Sequence, residues 1–548
     1  MSKRYSVHEA LDHIFANDGV PEDREESEAE EDVSEDEDVV EYDPEQDQTS
    51  DEEDPDVTDA QAEVFKALAE NILRKTPGPT RYAVSRAQDI KSAFEFVRPI
   101  QNILLEMTNM EGRRVFGDSW TEMDKTQLDA YMGVLLLAGV YRSSNEATAS
   151  LWDSESGRPI FHATMSLQAF HVLSRVVRFD NRETRVARRE NDKLAPIREV
   201  WDKWVENVPI VYNPGPEVTV DEQLVPFRGR CPFRQYMPIK PGKYGIKIWA
   251  ACDSKTAYAW NMQIYTGKPA SGVPEKNQGK RVVLDMTKGL RGHNITCDIF
   301  FTSYDLAQEL LKRKLTMVGT VRKNKPELPP ALLGMKDRAP LSSKFAFSDK
   351  ATLVSYHPKK NKNVVVMSTL HRDAGVSNRE DKKPDIILDY NKNKGGVDNL
   401  DKVTGTYTCK RGTKRWPMVV FYNMLDVSAY NAFIIWTEVD PGWNSRKTFR
   451  RRLFLDELGR SLVSSYIERR KFFPRTEASL PVVRDIQPTP TSPSCDGNQE
   501  GSPKTSKRQR CQSCPAKKDR KSNTTCHKCK KRICKEHTTT MTYCDSCI

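Results

Sequence analysis

Between residues 95 and 212 apolar residues recur every three or four positions, the spacing that places them on one face of a helix. The pattern is clearest over residues 120–141, 167–179 and 197–208. Ser119 and Ser166 come just before the first two segments and are predicted to cap them. We therefore expect a helical domain, and no residue pattern within it points to catalysis.

The pattern changes at Glu217, where apolar and polar residues alternate and β-branched residues become frequent. Three consecutive strands are predicted, followed by a strand, a helix and a strand, and this order describes a mixed α/β sheet. The strands are 217–224 (EVTVDEQL), 243–253 (KYGIKIWAACD), 257–267 (AYAWNMQIYTG), 293–301 (HNITCDIFF) and 315–322 (LTMVGTVR), and the helix is 303–314 (SYDLAQELLKRK). A helical pattern resumes after Asp398.

Composition adds an acidic leader to these elements. The 548 residues are 37% hydrophobic with a mean hydropathy of −0.67, so part of the chain is predicted to be disordered. Residues 21–60 hold 22 Asp or Glu against one basic residue, Arg24. The leader is either a solubilising tail or an intramolecular mimic of DNA, and the sequence leaves both open.

The rest of the chain is strongly basic. A net charge of +8 for the whole chain and −21 for residues 21–60 leaves +29 on the other 508 residues. Such a charge favours a polyanionic partner, most commonly nucleic acid. The N-terminal sequence has no apolar signal core, and the apolar run 134–140 is too short to span a bilayer, so we expect no membrane association.

Four aspartates are candidates for a metal site. Asp221 ends the predicted strand EVTVD, Asp298 lies at or near the end of NITCD, and Asp398 and Asp401 are three residues apart on one helical face. Transfer of a phosphoryl group between nucleic-acid strands uses carboxylates that hold two divalent cations, and Mg²⁺ suits such oxygen ligands, with Mn²⁺ as the alternative. The competing interpretation is solvated surface, where most of the 77 acidic residues are expected.

Two stretches interleave basic and aromatic residues. Such stretches can neutralise phosphates while the rings stack on bases or enter a distorted duplex. The alternative is that Trp416 and Tyr244 are core residues beside solvated lysines. The candidate DNA-binding residues are Arg228, Arg230, Arg234, Lys240, Lys243 and Lys247 in 227–247, and Lys410, Arg411, Lys414, Arg415 and Trp416 in 408–418.

The C-terminal tail has the ligand spacing of a zinc module. Seven of the twelve cysteines lie in the last 38 residues, as CxxC and CxxH pairs that suit two tetrahedral zinc sites. Sequential pairing remains an alternative to the interleaved pairing of RING and PHD modules. Interleaved pairing joins Cys511, Cys514, Cys534 and His537 at one site and Cys526, Cys529, Cys544 and Cys547 at the other.

Basic residues around this module suggest contact with DNA. Residues 503–548 hold thirteen Lys or Arg and three acidic residues, and 504–510 (KTSKRQR) is a candidate nuclear import signal. We therefore expect a nuclear protein. The PHD-like spacing also leaves open the binding of a histone tail, although no aromatic cage can be identified.

Five motifs, in this order and spacing, closely resemble the piggyBac family of transposases. They are VDEQLVPFRGRCPFRQYMPIKPGKYGIK (220–247), NITCDIFFTS (294–303), VGTVRKNK (318–325), YNKNKGGVDNLDK (390–402) and KRWPM (414–418). The resemblance extends from about residue 95 to 475 and over the cysteine-rich tail. One departure is Ile299, where many relatives have Asn after the second aspartate.

The resemblance implies an RNase H-like catalytic domain with an insertion, flanked by helical segments that pack together and support a homodimer. The implied ranges are 1–94 (acidic, largely disordered), 95–215 (helical dimerisation and DNA-binding domain, first part), 216–325 (catalytic domain, first part), 326–385 (insertion), 386–407 (catalytic domain, last part), 408–475 (helical domain, second part), 476–508 (linker) and 509–548 (zinc-binding domain).

The resemblance also implies the chemistry. Asp221, Asp298 and Asp398 match the family's metal-binding aspartates, Asp401 is an additional carboxylate, and Trp416 matches a tryptophan near the cleaved DNA end. The implied reaction is nicking at the element's ends, hairpin formation, and joining to a TTAA target. A similar tail in relatives recognises the terminal repeats. The alternatives are a domesticated nuclear DNA-binding protein that does not cleave DNA, and a chromatin adaptor that acts through the PHD-like tail.

Overall fold

The segment before the central sheet is mainly helical, as its apolar spacing predicts. The computed structural model describes residues 72–487 apart from 98, 269–274, 335–337 and 475, together with 509–515, 518, 520–522, 524 and 531–538 of the tail. Of the range 1–94 predicted to be acidic and largely disordered, residues 1–71 lie outside the described residues, whereas residues 72–94 hold a short strand and the first helical segments, so the prediction was wrong for that part. The first elements are β1 (Gly78–Pro79), α1 (Arg81–Val84), α2 (Ile90–Val97), α3 (Gln101–Phe116), α4 (Lys125–Val140), α5 (Thr148–Leu151), α6 (Pro159–Thr164), α7 (Leu167–Val176), α8 (Arg185–Asn191) and α9 (Arg198–Val211).

The two predicted N-caps have different outcomes. Ser166 caps α7, since its side chain accepts a 3.1 Å hydrogen bond from the amide of Ala169. The prediction for Ser119 was wrong: α4 begins later, and the side chain of Asp124 accepts a 2.8 Å hydrogen bond from the amide of Gln127. Asp and Ser are comparable N-caps, so the sequence did not discriminate between the two starts.

The middle of the chain forms a mixed sheet, which confirms the predicted fold class. A short strand, β2, pairs with β1 and lies outside this sheet. The elements are β2 (Tyr212–Asn213), β3 (Glu217–Pro226), β4 (Gln235–Tyr236), β5 (Tyr244–Asp253), β6 (Ala259–Ile264), α10 (Gln278–Met286), β7 (Asn294–Cys297), α11 (Tyr304–Lys312), β8 (Thr316–Thr320), α12 (Pro330–Leu333), β9 (Ser342–Phe347), β10 (Thr352–His357) and β11 (Val364–Ser368).

The sheet has an antiparallel part and a parallel part. Its strand order is β4–β5–β3–β7–β8–β11–β10–β9, and β6 also pairs with β5. β3, β5 and β6 are antiparallel neighbours, whereas β7 runs parallel to β3 and β8 runs parallel to β7. The strands β9 to β11 come from the range predicted as an insertion. They extend the sheet beyond β8 and have a small hydrophobic cluster that includes Val354, Tyr356 and Ile386.

The last part of the body is helical and packs against the first part. Its elements are α13 (Asp385–Asn393), α14 (Gly396–Thr406), α15 (Trp416–Val439), α16 (Arg450–Glu468) and α17 (Leu480–Ile486), with β12 (Gln509–Arg510) and β13 (Lys521–Ser522) in the tail. The prediction of a disordered linker over 476–508 was wrong at its start, because α17 forms there and buries Val483. α16 packs along α4, and the indole N–H of Trp204 on α9 donates a 2.9 Å hydrogen bond to Ser428 Oγ on α15. Helices that precede the sheet in sequence and helices that follow it therefore share one core.

α15 is the central helix of that core. By length and composition alone it is apolar enough to cross a membrane, but 89% of its most apolar window is buried inside the protein. The helix also makes polar contacts with the sheet: the side chain of Asn431 exchanges hydrogen bonds of 3.0 and 2.9 Å with the backbone of Ala259. These contacts are those of a core helix that supports the central sheet.

Candidate active site

The parallel register of β3 and β7 places two of the predicted aspartates side by side. The last paired residues are Val220 and Cys297, so the next residues are Asp221, on β3, and Asp298, directly after β7. The sequence predicted that Asp221 ends its strand, and this prediction was wrong. β3 continues to Pro226 because β5 keeps pairing with it along its other edge.

Asp298 begins a tight turn instead of continuing β7. Its side chain accepts a 2.9 Å hydrogen bond from the amide of Phe300, and its backbone oxygen accepts a 2.8 Å hydrogen bond from Thr302 Oγ1. The strand therefore ends at Cys297, four residues earlier than predicted. These bonds hold the carboxylate at the edge where β7 stops, with Ile299 partly exposed beside it.

The other two aspartates come from α14, which lies against β3. Gly396, in its first turn, makes this approach possible: a Cβ there would lie 2.5 Å from Thr219 Oγ1 on β3. Asp398 and Asp401 follow on the same helix, as predicted. The Asp398 side chain is 64% exposed, whereas Asp401 is largely buried and is hydrogen-bonded by Gln223. Burial raises the pKa of Asp401 to about 6.

The negative charges of the cluster act on one another. Burial, and then the carboxylate of Asp298, raise the pKa of Asp221 well above its ordinary value. Lys240 Nζ lies 3.1 Å from Asp398 Oδ1. Although burial opposes it, the attraction of Asp221 and Asp398 raises the pKa of Lys240. One ammonium therefore faces a group of carboxylates whose charge it does not balance.

This donor set fits a hard divalent cation. Mg²⁺ and Mn²⁺ prefer carboxylate oxygens, and a cation would relieve the repulsion between Asp221 and Asp298. The aspartates are more widely spaced than the ligands of a single preformed ion site. Within the described ranges, the group of three or more metal-ligating side chains whose atoms all lie within 4.8 Å is a different one, in the cysteine-rich tail.

The predicted DNA-binding residues divide into an exposed set and a set that is partly or fully buried. The exposed residues are Arg228, Arg230, Arg234, Lys243 and Lys414. Arg234 also lies over the ring of Tyr244, 5.4 Å from its centroid, and Tyr244 packs on Tyr236 with 4.7 Å between ring centroids. These contacts form an exposed basic and aromatic surface at the β4–β5 hairpin.

The partly or fully buried set joins separate parts of the chain. Trp416 is only 6% exposed and packs edge-on against Phe233, with 4.9 Å between ring centroids. The structure thus places this ring in the core, as the alternative interpretation had it. The partners of the cations are Asp398 for Lys240, Glu222 (3.3 Å) for Lys247, the Pro226 carbonyl for Lys410, the Ser143 carbonyl (2.7 Å) for Arg411, and the Ser174 and Val177 carbonyls for Arg415.

Three supporting residues were missed by the sequence argument. Gln223 lies on β3 and hydrogen-bonds Asp401, and Asn423 on α15 hydrogen-bonds Gln223. Asp426, also on α15, accepts hydrogen bonds from Thr408 Oγ1 (2.6 Å) and the Cys409 amide (2.8 Å). No sequence signal pairs Gln223 with Asn423, 200 positions away, so only the folded chain reveals that contact.

The tail brings together the first predicted zinc-ligand set. The ligand atoms of Cys511, Cys514, Cys534 and His537 all lie within 4.8 Å of one another. The Sγ of Cys534 is 3.7 Å from that of Cys514 and 3.3 Å from Nδ1 of His537, close to the edge lengths of a zinc tetrahedron. This is the set that interleaved pairing assigns to one site. The second set, Cys526, Cys529, Cys544 and Cys547, lies outside the described residues.

Comparisons with known proteins match most of the chain to transposases. A family model described as Transposase IS4 matches residues 96–433. A cryo-EM structure of the piggyBac transposase synaptic complex with hairpin DNA is 36% identical, with a TM-score of 0.73 over 86% of this chain and 100% of that chain.

Two human relatives match over shorter ranges. PiggyBac transposable element-derived protein 3 of Homo sapiens is 26% identical over 290 residues, which are 48% of this chain and 47% of that protein. PiggyBac transposable element-derived protein 2 of Homo sapiens is 24% identical over 238 residues, 39% of each chain. The chain thus spans less than half the length of these curated relatives.

Proposed function

Because the chain belongs to the piggyBac family of transposases, we propose that it is a metal-dependent enzyme that excises a DNA element and inserts it elsewhere. The observation that carries the proposal is the side-by-side placement of Asp221 and Asp298, with Asp398 and Asp401 of α14 close to β3. The transposase fold itself implies the use of a divalent metal. The proposal adds the identity of the ligands, which are these four aspartates.

Three of the four aspartates have distinct structural supports. Asp221 is held by the sheet ladder, Asp298 by the turn after β7, and Asp401 by Gln223. Two Mg²⁺ or Mn²⁺ ions bound here would activate the attacking water or 3′-hydroxyl and stabilise the leaving oxygen. The residues of the chain position this chemistry, because the two strands and the helix fix the carboxylates before DNA arrives.

The exposed cations support a DNA path beside the aspartates. Arg228, Arg230, Arg234 and Lys243 flank the strand that carries Asp221, and such side chains neutralise phosphates. The similar cryo-EM structure contains hairpin DNA. We therefore include in the proposal nicking at the terminal repeats, attack of the 3′-hydroxyl to form a hairpin, and joining to TTAA targets.

The assembly and location complete the proposal. Holding two DNA ends requires two active sites, so we propose a homodimer that acts in the nucleus. The tail would bind two structural Zn²⁺ ions and contact the terminal repeats, since its Cys and His ligands suit zinc and it is rich in lysine and arginine. Histone binding by the tail has no supporting contact among the described residues.

A domesticated protein that binds DNA without cutting it is the second candidate. The specific observation in its favour is that the two human relatives are transposable element-derived proteins. All four aspartates are present in this chain, and their arrangement supports the active enzyme.

The test is an excision and integration assay in cells with the element's own flanking ends. Wild type would be compared with Asp298→Ala and with Asp305→Ala, a control on α11 whose side chain is 62% exposed. If the chain is an active transposase, wild type and the control should excise the element precisely, and Asp298→Ala should not. If wild type binds the ends but never excises them, the domesticated alternative replaces it.

A further inference from the structure

The β4–β5 hairpin brings a lysine to the aspartates. Its loop, residues 237–243, is closed by two backbone hydrogen bonds, from the Met237 amide to the Lys243 oxygen (2.7 Å) and from the Lys243 amide to the Lys240 oxygen (2.9 Å). Lys243 points into solvent. Lys240 points to α14 instead and places Nζ 3.1 Å from Asp398 Oδ1, across 158 positions of sequence.

The two partners of this ion pair differ in exposure. The Lys240 side chain is 20% exposed, whereas that of Asp398 is 64% exposed. Lys240 also acts electrostatically on Asp221 and Asp401, so it faces the cluster and not one carboxylate. The neighbouring Lys247 pairs at 3.3 Å with Glu222, which leaves Lys240 as the ammonium of this hairpin that faces the aspartates.

We propose that Lys240 is the resident counter-cation of the aspartate cluster, and that a divalent metal must displace its ammonium from Asp398 in order to bind. The inference rests on the proposed function, because it takes Asp398 as a ligand of the metal. It assigns Lys240 a role in metal binding that differs from a standing contact with DNA phosphate.

Geometry makes the two cations competitors. A metal bound to a carboxylate of this cluster would lie at about 2.0–2.6 Å from an oxygen. The Lys240 ammonium is 3.1 Å from the same side chain, so both cations would be close enough to repel each other strongly. Release requires only rotation of the lysine side chain, because the loop is closed by its own backbone bonds. The released ammonium would lie near the exposed Tyr236 and Lys243, where a phosphate can take the place of the carboxylate.

The experiment measures Mn²⁺ binding directly, without DNA. The free Mn²⁺ signal in electron paramagnetic resonance would be titrated against the full chain with its tail already loaded with zinc. We expect Lys240→Met and Lys240→Gln to bind Mn²⁺ on the order of tenfold more tightly than wild type, since one competing positive charge is removed. Lys240→Arg keeps the charge and should stay within about threefold of wild type, as should Lys243→Met on the exposed side of the loop.

Melting temperatures give an independent readout. Without metal, Lys240→Met should melt below wild type, because the aspartates lose their counter-charge, and Mn²⁺ should raise its melting temperature by more than it raises that of wild type.

The outcomes separate this role from the proposed function. Unchanged or weaker Mn²⁺ binding in both neutral variants, with binding lost in Asp221→Asn, overturns the role of Lys240 and leaves the metal site standing. Equal Mn²⁺ binding by wild type, Lys240→Met and Asp221→Asn overturns both, because the ion would then bind elsewhere. Tighter binding in the neutral variants that is lost when Asp398→Asn is added supports the proposal.

Discussion

Asn423, in the middle of α15, donates a 3.0 Å hydrogen bond from its side-chain amide to the side-chain oxygen of Gln223 on β3. Both residues are buried, at 7% and 2% exposure. Gln223 in turn hydrogen-bonds Asp401. A buried relay of three side chains therefore connects the central core helix to a carboxylate of the candidate active site.

Breaking this relay should destabilise the protein. Asn423→Ala leaves the oxygen of Gln223 without its buried donor, which costs about 1–3 kcal/mol. The loss would be measured by thermal or urea unfolding of the metal-free chain. Asn399→Ala, an exposed change on α14, is the control and should have little effect. Equal stability of both variants would show that the relay contributes nothing.

Two glycines of α14 provide a matched pair. Gly396→Ala places a methyl group 2.5 Å from Thr219 Oγ1 and should push the helix, with its aspartates, away from β3. A misplacement of about 1 Å can reduce catalysis about 100-fold, so we expect excision to fall by that order. At Gly405 a Cβ would meet nothing within 4 Å, so Gly405→Ala should retain activity and stabilise the helix by about 0.5–1 kcal/mol. Similar excision by the two variants would contradict the close approach.

Asp426 predicts a pH dependence of stability. Burial raises its pKa from 3.8 to about 7. The folded protein therefore holds this proton more tightly than the unfolded chain does, so the stabilising effect is present below about pH 4 and is lost as the pH rises toward about 7.

Asp426→Asn cannot titrate and removes this dependence. Relative to the variant, wild type should lose about 1–2 kcal/mol of unfolding free energy between pH 4 and 7, less than the full pKa shift implies because the side chain is partly exposed. Unfolding at several pH values measures the difference. Asp440→Asn, at the exposed end of the same helix, should keep the wild-type slope, and a parallel pair of curves for wild type and Asp426→Asn would contradict the prediction.

Arg415 and Lys414 should separate stability from DNA binding. Arg415 donates to the backbone oxygens of Ser174 and Val177, so Arg415→Met should cost about 2–4 kcal/mol by leaving carbonyls unpaired. Lys414 is exposed, and Lys414→Met should instead weaken DNA binding and lower its salt slope by about one. The measurements are unfolding and binding titrations at several salt concentrations. A destabilised Lys414→Met variant would reverse the assignment.

The cysteine cluster of the tail predicts that loss of Cys534 lowers the zinc content of the protein. Cys534→Ser removes a ligand from the cluster of Cys511, Cys514 and His537, and metal analysis should find about one zinc fewer per chain. Cys231→Ser, outside the tail, should leave the zinc content unchanged. Full zinc content in Cys534→Ser would exclude this cluster as a zinc site.

The local pattern of apolar and polar residues predicted helices and strands well where neighbouring residues determine the secondary structure. The strands at 217, 243 and 315 and the helices at 303 and 398 all formed close to their expected places. Boundaries failed where a side chain intervened: Asp298 ends β7 by bonding the Phe300 amide, and Asp124 starts α4 in place of Ser119.

The basic stretch 408–418 shows what local pattern cannot supply. Its cations were predicted to bind DNA. Arg411 and Arg415 instead donate hydrogen bonds to backbone carbonyls more than 200 residues earlier in the sequence. Composition cannot distinguish an arginine that is exposed to solvent from one that donates a hydrogen bond to a distant carbonyl. Only the long-range contacts of the folded chain, to Ser143 after α4 and to Ser174 and Val177 at the end of α7, distinguish them. The aspartates were assigned through the family resemblance, and their placement together also depends on a long-range contact, the parallel pairing of β3 with β7.

The addition of β9, β10 and β11 at the edge of β8 has an evolutionary consequence. Asp221 lies on β3 and Asp298 directly follows β7, so β8 separates both carboxylates from the added strands. Sequence variation in 326–385 can therefore change this edge of the sheet and its contacts without disturbing the spacing of Asp221 and Asp298. We expect closely related elements to diverge first at this edge and to keep the ladder between Val220 and Cys297 unchanged.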